Sequence, residues 1–133
     1  MGHSNATIDV ATIYINAVKA HRQGRLQEAA SLLHDLLDAS PSAEAWNELG
    51  AICLETGRAG KAVECFQAAI RLSPGQADLL NNLAEAQSLL GDEESSLATL
   101  RRSLAIRNDA RTGSNLLLHL HDQSLLDRAA LLD

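Results

Sequence analysis

The chain has 133 residues, enough to bury one core and too few for more than one ordinary domain. Hydrophobic residues make up 46% but aromatics only 2%; 24 Leu and 22 Ala supply the apolar content, which favours helices and excludes a sandwich, barrel or large sheet. Eleven basic against 17 acidic residues give a net charge of −6, which argues against nucleic-acid or anionic-membrane binding, since both need clustered Lys and Arg.

Residues 1–9 read as a tail, with Met1-Gly2-His3-Ser4 resembling a cloning remnant. No basic segment leads into an apolar one there, so a secretory signal is not expected. No run approaches the roughly 18 apolar residues of a spanning helix. The expectation is a soluble cytoplasmic protein.

From residue 10 the chain repeats itself. Gly24, Gly57 and Gly91 are 33 and 34 residues apart, as are Ala29, Ala62 and Ser96; Pro41, Pro74 and Asn108 keep the same step. Such a period denotes a two-helix unit stacked into an array. The units are residues 10–42, 43–76 and 77–109, with an incomplete fourth at 110–133, and together they form one domain over 10–133. In unit two a first helix carries Trp46, Leu49, Gly50 and Cys53 at helical spacing, and unit three has Leu80, Leu83, Ala84 and Gln87. Each first helix ends at a glycine, which tolerates the left-handed conformation of a helix C-terminus. The second helix of unit two places Ala62, Phe66, Ala69 and Ile70 on one stripe and stops near Ser73-Pro74, where proline cannot continue it. Small residues at Gly50 and Ala62 let the two helices approach closely.

The set Trp46, Leu49, Gly50, Gly57, Ala62, Phe66, Ala69 and Pro74 resembles the tetratricopeptide (TPR) signature, W-x-x-L-G…A-x-x-x-F-x-x-A…P. Cys53 departs from the usual aromatic, Ser96 replaces the signature alanine, and Ile13 and Asn16 stand where unit one would carry Trp and Leu. The resemblance covers residues 10–109 and implies an all-α, right-handed superhelical array whose concave face is lined by the first helix of each repeat. A second resemblance lies in Ser114 to His121, SNLLLHLH, which is similar to the S-N-L-L-x-x-L-x-Y junction of bacterial relatives of O-linked N-acetylglucosamine transferase. It implies the substrate-recruiting arm of a larger glycosyltransferase. The chain as given stops at Asp133, so no catalytic domain is expected within it.

Chemistry-bearing groups are sparse. Cys53 and Cys65 form neither a disulfide framework nor a C-x-x-C pair and are expected as buried, reduced thiols. His119 and His121, two apart, fall on different helix faces; His21 and His34 have no ligand cluster in sequence, so no metal site is expected. Ser95 and Ser96 lack a nucleophile elbow, and Gly57 and Gly60 lack the strand and G-K-[ST] of a phosphate loop. Glu93 and Glu94 suit the positive end of a helix dipole. No catalytic residue and no cofactor is expected, and the protein is not expected to be an enzyme.

The repeat resemblance places Tyr14, Val18 and His21 of unit one on the concave face. Glu44, Asn47, Glu48, Ala51 and Glu55 of unit two join them, as do Asp78, Asn81, Asn82, Glu85 and Ser88 of unit three. Asparagine both donates and accepts, so it can hold an extended peptide backbone without reading its sequence. In the transferase family an asparagine ladder does this; Asn82 and Asn115 match its rung, while Glu48 and Ile15 occupy it elsewhere. The candidate groove is therefore Tyr14, Glu44, Asn47, Glu48, Asp78, Asn81, Asn82, Glu85 and Asn115, taking a basic or neutral peptide or a partner helix. The lysines with which cochaperone TPR domains clamp an acidic tail are absent from Tyr14, Asn47, Asn81, Val18, Ala51 and Glu85.

The last segment is leucine-rich. Leu125, Leu126, Ala129 and Leu132 form one stripe if the segment is helical, and an apolar stripe of this kind marks an interface. The expectation is a homodimer or a downstream domain packed there. Sedimentation at several concentrations tests the dimer: Leu126→Glu and Leu132→Glu should dissociate it, and a monomer indifferent to both substitutions removes it.

Overall fold

The computed structural model describes residues 9–109, all of whose regular structure is helical. The helices are α1 (Val10–Arg22), α2 (Leu26–Ala39), α3 (Ala43–Glu55), α4 (Ala59–Leu72), α5 (Ala77–Leu89) and α6 (Glu93–Asp109). They pair as hairpins α1–α2, α3–α4 and α5–α6. The fourth unit, with Asn115, Leu125, Leu126 and Leu132, lies outside the described residues.

Three identical turns make the hairpins. Gly24, Gly57 and Gly91 have φ of 80°, 77° and 86°, the left-handed region where a side chain is strained. The following amide reaches back across each glycine: Arg25 N–H donates to the Ala20 carbonyl (2.8 Å), Arg58 to Cys53 (2.7 Å) and Asp92 to Gln87 (2.9 Å). These six-to-one bonds satisfy carbonyls that the helix end would leave unpaired. Between hairpins the links are Ser40–Ser42 and Ser73–Gln76, so the residue that lengthens the second period from 33 to 34 sits just after Pro74. Ser42 caps α3 by accepting the Ala45 N–H (3.1 Å).

The hairpins stack in two layers. α1, α3 and α5 touch in succession and form the inner layer; α2, α4 and α6 pack only on inner helices and not on one another. The core runs between the layers and is mostly small: Ala17, Ala20, Ala29, Ala45, Ala62, Ala69 and Ala86 are fully buried. Among alanines the larger Leu33, Phe66 and Leu80 are also fully buried. Unit three differs, because α6 buries the hydroxyls of Ser96, Thr99 and Ser103. Each is satisfied: Ser96 Oγ donates to the Ala84 carbonyl (2.9 Å), Thr99 Oγ1 to Gln87 Oε1 (2.8 Å) and Ser103 Oγ to Asn81 Oδ1 (2.8 Å).

The α3–α4 crossing is close at Gly50. A Cβ on Gly50 would lie 2.5 Å from Cε1 and 2.8 Å from Cδ1 of Phe66, a ring that is fully buried and cannot turn aside. Gly50→Ala should therefore cost about 1–3 kcal/mol by overpacking, although alanine is the better helix former. Gly60→Ala, at a helical glycine with nothing within 4 Å, should instead stabilise by about 0.5 kcal/mol. Thermal melts of the two variants check the opposite signs.

Candidate functional site

The inner helices α1, α3 and α5 bring the polar residues of three units onto one face, held mainly by polar contacts between units. His21, on the last turn of α1, sits between two carboxylates of α3: its Nδ1 meets Glu48 Oε2 and its Nε2 meets Glu55 Oε2. Glu48 and Glu55 are seven residues, two turns, apart, so they bracket the ring from above and below. A neutral imidazole donates one hydrogen only, so both bonds form together only with the imidazolium. Burial works to lower the His21 pKa, but hydrogen bonds to Glu48 and Glu55, with their charges, outweigh it and hold it above the usual 6.5. Two turns back, Tyr14 has its pKa raised by burial first, then by the negative charges of Glu48 and Glu44. Between α3 and α5, Asn82 Nδ2 donates to Asn47 Oδ1 at 2.7 Å.

The expected groove residues divide into two groups. Tyr14, Asn47, Glu48 and Asn82 are half-buried, with Glu48 bonded to His21 and Asn82 to Asn47, while Glu44 and Glu85 are exposed. Asn81 and Asp78 instead engage α6: Asn81 Oδ1 accepts from Ser103, and Asp78 Oδ1 accepts from Arg107 Nη2 at 2.6 Å. On this face Glu48 is paired with His21 and Asp78 with Arg107, while Glu44 and Glu85 make no ion pair among the described residues. Sequence reasoning placed His21 on this face but missed its bridging role. The signal available was the spacing of Glu48 and Glu55 on the neighbouring inner helix, opposite a residue whose two ring nitrogens can serve both.

Other chemistry is subdued. Cys53 and Cys65 are free and buried, and burial, followed by the neighbouring Cys53, pushes the Cys65 thiol up to about 12, far from a reactive thiolate. Among the described residues no group of three or more His, Cys, Asp and Glu side chains could hold a metal ion, and no helix is long and apolar enough to cross a membrane.

This combination, stacked helical hairpins with a polar inner face, defines a helical-repeat protein. The tetratricopeptide repeat profile matches residues 17–77 and 57–111, which together span most of the chain, and the chain belongs to the tetratricopeptide repeat family, whose members generally mediate protein–protein interaction. It is 34% identical over 85 residues to a peroxisomal targeting signal receptor of Yarrowia lipolytica, matching 63% of this chain but only 14% of the receptor. A crystal structure of MamA superposes with a TM-score of 0.74 at 18% identity, covering 77% of this chain and 60% of that one. A second, MamA AMB-1, gives a TM-score of 0.71 at 19% identity over 80% of this chain and 63% of that one. The identities to MamA support the shared fold alone. The chain spans a small part of the receptor and less than two thirds of either MamA chain.

The His21 bridge has a defined pH dependence. A pKa raised on folding stabilises the protein fully below the unfolded value near 6.5, and that contribution is lost as pH rises through the higher folded value. His21→Ala should cost about 1 kcal/mol at pH 6 and less at pH 9. Denaturant titrations of both proteins at the two pH values measure the gap.

Proposed function

We propose that the protein is a non-catalytic binding module that holds a peptide segment of a partner along the concave face of α1, α3 and α5. The observation that carries this reading is the Asn47–Asn82 pair. Their mutual bond uses one donor and one acceptor, leaving the Asn47 amino group and the Asn82 carbonyl oxygen to meet a peptide backbone, which offers the complementary pair. Half-burial of both residues makes such bonds worth more than at an open surface. Tyr14, near Glu44 and Glu48, supplies an amphipathic ring of the kind enriched at interfaces. The peroxisomal targeting signal receptor is by its name a receptor for a targeting signal, which agrees with a peptide-binding reading.

The charge of the face selects among peptides. With Glu48 and Asp78 paired, Glu44 and Glu85 remain as exposed carboxylates, so the face stays acidic and favours basic or neutral ligands. Two buried thiols suit a reducing compartment, and we place the protein in the cytoplasm on that ground.

A peptide array probed with the purified protein tests the reading. Basic and neutral peptides should be retained, with binding weakened by salt, and Asn82→Ala should reduce affinity about tenfold through loss of one half-buried contact. Selection of Asp- and Glu-rich peptides, or indifference to Asn82→Ala, contradicts it.

A further inference from the structure

On the side opposite the concave face, α2 and α4 stand apart with α3 between and beneath them. The gap is a cavity of about 440 Å³. Trp46, Leu49, Ile52 and Cys53 of α3 form its floor, Leu26 and Ala30 of α2 one wall, and Cys65 and Ala68 of α4 the other. Trp46 is only half-buried, whereas Leu80, at the same repeat position one unit later, has no exposure at all.

The rim is cationic in a chain of net charge −6. Arg58, Lys61 and Arg71 line it from α4, and Glu64 is the single carboxylate among the lining residues. None of the three cations is in an ion pair among the described residues. From Arg58 to Arg71 the wall runs along α4 for about 20 Å, nearly four turns.

We propose that this groove receives an acidic amphipathic helix of a partner protein, its apolar side chains seated over Trp46 and its carboxylates facing Arg58, Lys61 and Arg71. Two observations favour a helix over a small anionic amphiphile. The cations are spread along the groove, which matches a row of carboxylates rather than one headgroup. The groove is also open along its outer side. An acyl chain would be left partly wet there, whereas small-molecule sites enclose most of their ligand; an amphipathic helix turns its own polar face outward. This surface is separate from the concave face, and the inference does not depend on the reading given to that face.

Trp46 is the sole tryptophan, so its emission reports on the groove directly. The full chain is titrated with a synthetic 15-residue helical peptide carrying leucines at helical spacing and glutamates elsewhere. A saturable blue shift of Trp46 is expected. The Lys61→Glu/Arg71→Glu variant, checked for unchanged circular dichroism, should bind at least tenfold more weakly, and Arg101→Glu/Arg102→Glu, an equal change of charge at exposed positions of α6 outside the groove lining, should bind as the parent does. No Trp46 response, equal binding by the charge-reversed variant, or equal binding of a peptide with lysine for glutamate overturns the proposal. So does palmitate that gives the same shift and displaces the peptide, which would make this a lipid site. A Trp46 shift produced by raising protein concentration alone also overturns it, in favour of a second copy of the chain.

Discussion

The approach of α3 to α4 at Gly50 and Phe66 is the constraint around which this array is built. Two helices that come close enough for a Cβ to collide with a ring must carry hydrogen at one position wherever they carry the ring at the other. The same trade recurs by register: Ala17 faces the repeat position of Leu33, and Ala84 that of Leu100, so a methyl group is allowed where the opposing side chain is leucine. Gly with Phe and Ala with Leu keep nearly the same combined volume. Hairpins of similar separation can then stack at a similar angle, and a continuous inner face exists only because they do. With so few large side chains, the core depends on close approach rather than on bulk. Its alanines bury backbone-proximal surface and bring the layers into dispersion contact.

Stacking places the functional groups. Each unit buries its apolar face against the next, and polar side chains on the inner layer meet across the junctions. His21 joins α1 to α3 through Glu48 and Glu55, and Asn82 joins α5 to α3 through Asn47. These bonds serve two ends at once: they fix the spacing of the inner helices and they set which polar atoms remain for a ligand. The third hairpin is built differently. Its buried hydroxyls hold α6 to α5 and draw Asn81 away from the open face, while Arg107 pairs with the exposed Asp78. The result is a face whose negative charge lies at Glu44, at Glu85 and on the Glu48–Glu55 pair that a single His21 only half neutralises.

Helices, turns and hairpin pairing were legible in the sequence because each rests on local rules repeated three times. Gly24, Gly57 and Gly91 ended the first helices where their spacing said they would, and Pro74 marked the linker that carries the extra residue. Contacts between units were legible only in outline. Asn47, Glu48 and Asn82 were assigned to the concave face from the repeat resemblance, but the partner of each depends on how far one hairpin rotates against the next, and no residue spacing encodes that angle. The bridging of His21 and the opening over Trp46 follow from that rotation, and the capture of Asn81 by Ser103 follows from the packing of α6 on α5 within the third hairpin. Ser96, Thr99 and Ser103 illustrate the same limit: as substitutions for core residues they read as departures from the repeat, and only the positions of Ala84, Gln87 and Asn81 show that they form a satisfied polar seam.

The size exchange between Gly50 and Phe66 is tested most directly by a double-mutant cycle of Gly50→Ala and Phe66→Leu, read by equilibrium denaturation. If the ring sets the closest approach of the helices, leucine makes room for the added methyl group, and the double variant is more stable than the sum of the single losses by about 1 kcal/mol or more. Additivity within about 0.5 kcal/mol would mean that the two residues do not constrain each other, and the account of the array built on their contact would fail.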